Sequence, residues 1–202
     1  AEAEAVYELD PRHPGALHYL VHAYDDPVHA PLGLRAARRY GKVAPAAAHA
    51  QHMPSHIFFA LGMWDDAIEA NIASLATARS QGQGGYHALE WLAYAYLQQG
   101  MREDASKLVQ SVADDVSRKP TQGIRTTLAY ARAMWLVETG SADPTGWTDV
   151  DETGIKSIFA FSAYDFARGV VAARSGNLSV AEAQVQRLQA RSDAARADAV
   201  GV

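Results

Sequence analysis

His18 and His22, and again His52 and His56, form two HxxxH pairs displaced by 34 residues. Imidazole is the commonest metal-ligating side chain, and two of them four apart on a helix share one face. A displacement equal to one two-helix repeat sets the second pair beside the first on the neighbouring unit. The spacing predicts that His18, His22, His52 and His56 converge on a divalent transition-metal ion. At about 100° per residue, His49 falls within about 20° of His56 and joins the stripe of His52. Asp25, seven residues after His18, extends the stripe of the earlier pair in the same way.

Seven of the eight histidines lie between positions 13 and 56, an unevenness that asks for a local cause. There is no cysteine, so thiolate zinc sites, disulfides and cysteine nucleophiles are excluded. Imidazole and carboxylate oxygen are the strong side-chain ligands that remain. An all-imidazole set suits copper, zinc or nickel, and adding carboxylates admits iron; copper and zinc lead, by affinity and by availability. The open alternatives are a histidine groove that hydrogen-bonds a peptide or acidic ligand, and purely structural histidines.

Other chemistries find less support. The stretch GQGG at 82–85 lacks the strand and the Lys-Ser/Thr ending of a phosphate cradle. No HExxH occurs, and Ser55 beside His56 falls where helix packing needs a small residue rather than at a strained nucleophile turn. A net charge of −5, from 18 basic and 23 acidic side chains, gives no electrostatic footprint for nucleic acid or an anionic membrane. No run approaches the roughly 18 apolar residues of a membrane span, so the chain reads as soluble; its compartment is left open. It starts at Ala1 inside a helical pattern, which suggests a processed product or part of something longer.

The elements that must position these residues are helices. Alanine-rich segments with large apolar residues three and four apart dominate, and alternating β-branched runs are missing. Breakers recur at Asp10-Pro11, Asp26-Pro27, Ala44-Pro45, Gly62, Gly82–Gly85, Gly100, Lys119-Pro120, Gly140–Gly154 and Gly176-Asn177, leaving helices of roughly 12–20 residues between them. The stretch SADPTGWTDVDETG, 141–154, reads as a loop where a second helix should begin. Arg35, Arg38 and Arg39 read as a solvated face, His13 as solvated, and Asp25 and Asp26 equally well as turn residues before Pro27.

GMWDDAIEA at 62–70 and GMREDASKL at 100–108 begin alike, and SGNLSVAEA at 175–183 is a weaker third copy. These segments resemble the start of the second helix of a tetratricopeptide repeat, and LDPRHPGALHYL and VAPAAAHAQHM resemble the joints between repeats. The resemblance covers nearly the whole chain. It implies an all-α, right-handed superhelical solenoid of antiparallel helix pairs, forming one domain over 1–202. Its units would be 14–47, 48–85, 86–122, 123–154 and 155–198, with 1–13 ending a preceding repeat, and further repeats of the same chain are possible partners.

In such proteins the stripe carrying the histidines lines the concave groove, while Leu17, Leu20, Tyr24, Phe58, Leu89, Leu92 and Tyr96 fall at packed positions. Matching Gly62 with Gly100 gives an offset of 38 and maps His49 onto His87, His52 onto Glu90 and His56 onto Tyr94. His87 and Glu90 thereby join the groove, His87 as ligand or proton carrier and Glu90 as ligand, outer acceptor or general base; the two are the candidate catalytic pair. Tyr94 and Phe59 could wall the site. The phrases HYLVHAYDDPVHAPLGLRAARRYGKVAP and HAQHMPSHIFFALGMWDD resemble a His-rich bacterial branch of these repeat proteins for which no reaction is established. The expectation is a metal-binding repeat protein, possible as a metal-dependent hydrolase or oxidase acting on an unknown small molecule. The competing expectation is a non-enzymatic scaffold that clamps a peptide in its groove.

Overall fold

Proline and glycine punctuation divides the chain into helices, as the breaker pattern requires. The computed structural model describes residues 2–140 and 157–200, with side chains to 197. Eleven helices and no strand occur among them. They are α1 Glu2–Leu9, α2 Pro14–Ala23, α3 Ala30–Val43, α4 Ala48–His52, α5 Pro54–Ala60, α6 Trp64–Ser80, α7 Tyr86–Gln98, α8 Arg102–Arg118, α9 Gln122–Thr139, α10 Ile158–Arg174 and α11 Leu178–Val200. The loop expected at 141–154 lies outside the described residues, and so does the second helix of the unit expected at 123–154. None of the described helices is long and apolar enough to cross a membrane.

The chain forms two compact units, Ala1–Ala105 and Ser106–Val202. In the first, α1 packs on α2, α2 on α3, and the α4–α5 segment lies against both α3 and α6, with α7 packed on α6. Small residues let these helices approach: Ala30, Ala36, Ala37, Ala50 and Ala67 are buried beside Leu17, Leu20, Val21, Met53, Ile57 and Phe58 in one apolar core. Leu89 and Leu92 are buried as expected, while Tyr24 and Tyr96 are half-buried. At about 25 cal/mol per Å² of apolar surface removed from water, each fully buried Leu or Ile of this set contributes roughly 2 kcal/mol.

Three local features depart from a plain periodic reading. The stripe of the second pair does not lie on one unbroken helix, because Pro54 has no N–H to continue the ladder and α4 gives way to α5. Met53 between them keeps helical dihedrals (φ −51°, ψ −38°), so His52 and His56 still share a face. His13 is an N-cap: its Nδ1 accepts from the Ala16 N–H at 3.1 Å, satisfying a donor that α2 leaves orphaned at its start. Arg35, Arg38 and Arg39 are exposed, and Arg35 in addition forms ion pairs with Glu4 and Glu8 of α1 while its guanidinium lies 4.8 Å from the Tyr7 ring centroid.

In the second unit α10 packs against α9 and α11. Ala133, Leu136, Tyr164, Ala167 and Val171 form its apolar core. Asp165 of α10 is buried, and its two oxygens accept from Arg187 Nε at 3.0 Å and Arg191 Nε at 2.8 Å of α11, a charge pair tying the two helices together.

Candidate metal centre

Six imidazoles of the first unit lie in one continuous row. Ring centroids are 5.1 Å apart for His49 and His18, 4.6 Å for His18 and His22, 5.9 Å for His22 and His56, 5.1 Å for His56 and His52, and 4.5 Å for His52 and His87. Nitrogens converge at the two ends of this row. His18, His22 and His49 bring one ring nitrogen each within 4.8 Å of one another, and His52, His56 and His87 do the same.

The four histidines expected to share one ion therefore fall two by two into different groups. His49 completes the first and His87 the second. The cause is the stagger between neighbouring helices. His18 of α2 meets His49 of α4, and Asp25 meets His56 of α5, at offsets of 31 residues rather than 34. Three residues are nearly one helical turn, so these two contacts reach a partner one turn earlier than equal repeat positions would give, while His22 and His56, at the offset of 34, stand 5.9 Å apart in the middle of the row.

The inner group, His52, His56 and His87, is the more constrained. His52 closes α4 with a side chain 2 % exposed, and its Nδ1 lies 2.7 Å from Asn71 Oδ1 of α6. The Asn71 amide is oriented by its own Nδ2–H, which donates to the Ala67 carbonyl at 2.9 Å, so Oδ1 must face the histidine. His52 Nδ1 consequently carries the hydrogen, and Nε2 keeps a lone pair. That Nε2 is buried and has no hydrogen-bond partner among the described residues. Burial drives the His52 pKa down to about 3, with the neighbouring imidazoles of His87, His56 and His49 adding to it against the opposing Asn71 hydrogen bond. A neutral ring with a fixed tautomer and an inward lone pair is the form that binds a cation.

His56 is held in a parallel way. Its Nδ1 lies 2.7 Å from Asp25 Oδ2, which leaves its Nε2 as the donor atom for a ligand. Asp25 follows the end of α2 at Ala23, so it reaches His56 from the turn rather than along a helical stripe. The preceding residue anchors that turn: Tyr24 donates its hydroxyl to Glu4 at 2.5 Å. Asp25 thus stands behind a histidine and outside both groups of converging atoms. Asp26, by contrast, is a turn residue, capping Val28 and His29 through their N–H groups and meeting His29 Nδ1 at 2.8 Å.

His87 enters from the first turn of α7. Gly85 immediately before that helix has φ +66°, and a Cβ there would stand 2.8 Å from Leu75 Cδ1, so a glycine is required for α7 to start this close to α6. His87 is exposed, yet partial burial of its ring lowers its pKa, with His56 and His49 adding to the effect. His18 and His49 are lowered for the same reasons, burial first and neighbouring imidazoles second. Glu90 is half-buried on α7, one turn beyond His87, and belongs to neither converging group among the described residues.

Trp91 closes one side of the inner group, its ring 4.3 Å from His56 and 5.1 Å from His52. Phe59 packs on Trp91 at 4.7 Å and stacks on Tyr94 at 5.6 Å. The wall expected from Phe59 and Tyr94 thus exists one layer out, with Trp91 as its inner face. Spacing alone assigns Asn71 no role, although an asparagine inside an alanine-rich helix is a local signal, since its side chain competes with the helix backbone and needs a tertiary reason to be there.

No family model matches the chain, and no curated protein or solved structure matches it either.

Proposed function

We propose that this chain is a transition-metal protein of tetratricopeptide-like build, with its resident ion held by His52, His56 and His87. The single observation that carries this reading is the buried, partnerless Nε2 of His52, fixed in position by Asn71. Leaving a buried polar atom unsatisfied costs roughly 1–3 kcal/mol, a penalty that a core histidine normally avoids through a hydrogen bond and that a coordinated cation removes. Asn71 and Asp25 supply the outer hydrogen bonds that orient metal-bound imidazoles. The recurrence of left-handed glycines at Gly62 and Gly100, each opening an acidic second helix, supports the repeat build.

Three imidazoles suit zinc, copper or nickel and leave a fourth position for water or another small ligand, as catalytic ions do. Such an ion would supply Lewis acidity to a bound water, the chemistry of hydrolytic metal sites. Trp91 packs against His56, and His87 is the exposed one of the three rings, on the accessible side of the group. His87 serves as a ligand in this reading rather than as a free proton carrier.

Chain purified without an affinity tag, stripped with chelator and titrated with Zn(II) against a competing chromophoric chelator, should bind one equivalent tightly. His52→Ala should abolish that equivalent, and Asn71→Leu should weaken it about 10–100-fold. Tight binding retained in His52→Ala overturns the ligand set. Absence of any tight equivalent in the unsubstituted chain overturns the metal reading in favour of a groove that binds a peptide or other organic ligand.

A further inference from the structure

The outer group of the imidazole row has geometry that the inner ion does not use. His18 Nε2 lies 3.1 Å from His49 Nε2 and 3.1 Å from His22 Nε2. Hydrogen bonding alone serves this arrangement poorly. A neutral imidazole nitrogen bears either one hydrogen or one lone pair, so His18 Nε2 must offer a single hydrogen to two neighbours or a single lone pair to two donors. A cation satisfies all three lone pairs at once. Two nitrogens each about 2.0–2.1 Å from one ion stand about 3.1 Å apart when the angle between them is roughly 100°, and both short distances in the triad match that value.

The two ends of the row also differ in how firmly they are built. His22 and His49 are exposed and His18 half-buried, whereas the inner group contains a buried ring. No protein acceptor holds Nδ1 of His18, His22 or His49 among the described residues, while two of the three inner rings are oriented by Asn71 and Asp25. Outer hydrogen bonds of that kind are worth about 10–100-fold in metal affinity. The ring of His22 is 5.9 Å from that of His56, so an ion at one end raises the electrostatic cost of placing another at the other end.

We infer that His18, His22 and His49 form a second, solvent-accessible site for a divalent transition-metal ion, occupied after the inner site and exchanging faster. The site takes Zn(II), Cu(II) or Co(II) through three imidazole nitrogens and completes its shell with water. The inference extends the metal reading of the row, and the two stand apart experimentally because their ligands are disjoint.

Titration of the stripped full chain with Co(II), followed by visible absorption and calorimetry, should show two equivalents, the second about 10–100-fold weaker than the first. His18→Ala removes the ring shared by both short contacts and should abolish the weaker event while leaving the tighter one within about twofold. His49→Ala, at an exposed position, repeats the test with little risk to folding, which circular dichroism verifies. Two equivalents retained in His49→Ala, or a single equivalent that either His18→Ala or His52→Ala abolishes, overturns the second site; the latter result would mean one ion shared along the row. Loss of the tight event in His52→Ala with the weak one intact supports separate sites, and no tight event in the unsubstituted chain is instead the failure of the inner-ion reading.

Discussion

Acid should destabilise the metal-free protein through His52, and the size of the effect follows from its environment. The side chain is buried, and its pKa is near 3 in the folded chain against 6.5 for an ordinary histidine. A depressed histidine means that the unfolded chain binds the proton more readily than the folded one. The stability that this neutral ring permits is therefore full above about pH 6.5 and is lost as the pH falls through the window between the two values. At pH 5.0 the unfolded state is favoured by about 2 kcal/mol relative to pH 8, and the loss approaches roughly 4–5 kcal/mol near pH 3.

The measurement is urea unfolding in the presence of chelator at a series of pH values from 8 to 5, for the unsubstituted chain and for His52→Gln, whose amide can still donate to Asn71. Other histidines and carboxylates titrate in both proteins and cancel in the difference. The variant should lose close to one proton's worth of pH dependence, so the gap between the two stabilities should shrink by about 2 kcal/mol on going from pH 8 to pH 5. Parallel stability curves would refute the argument that His52 is buried, neutral and resistant to protonation. Saturating Zn(II) should raise stability at pH 8 and do so progressively less on acidification, since protons and metal compete for the same lone pairs.

Three further outcomes follow from the same geometry. Asp25→Ala should weaken the tight ion about tenfold, by releasing His56 Nδ1, while changing apo stability by less than about 1 kcal/mol because the pair is partly exposed; Asp25→Asn, which retains an acceptor, should recover most of the loss. Cu(II) binding should quench tryptophan fluorescence mainly through Trp91, and Trp91→Phe should remove most of the quench, whereas a change equally large in that variant would place the ion away from the inner group. The double variant His52→Leu/Asn71→Leu should be as stable as the unsubstituted apo chain or more so, by up to a few kcal/mol in urea unfolding, because it replaces a buried polar pair by apolar groups.

The helical class and most breaks between helices were legible in the sequence, because alanine-rich periodicity and Pro/Gly punctuation act locally. Every histidine of the row was legible too, whereas Asp25, expected among the ligands, stands behind His56 and outside both groups. What spacing could not deliver was the partition of the rings. Repeat register pairs equivalent positions, His18 with His52, but packed helices cross with a stagger, and one turn of it pairs His18 with His49 instead. The end of α2 before Asp25 has a related cause: the turn to Pro27 is stabilised by Asp26, and the carboxylate beside it becomes available from a non-helical backbone. His13 is exposed, as its place in the joint implies, and the fold adds a capping contact by turning its Nδ1 onto the Ala16 N–H.

Two buried carboxamide-or-carboxylate partnerships differ in how they end. In the second unit, Asp165 meets two arginine side chains, and its charge is answered within the protein. At Asn71 the polar chain runs from the Ala67 carbonyl through the amide to His52 Nδ1 and then stops at an unanswered Nε2. A network built only for stability would end on a donor, or would be replaced by leucine, since a half-satisfied buried polar chain is worse than an apolar one. Natural chains break that rule chiefly where function needs it. The rings of His56 and His87 beside it, the first also oriented by the Asp25 carboxylate, are what favour a cation as the partner in the proposed reading.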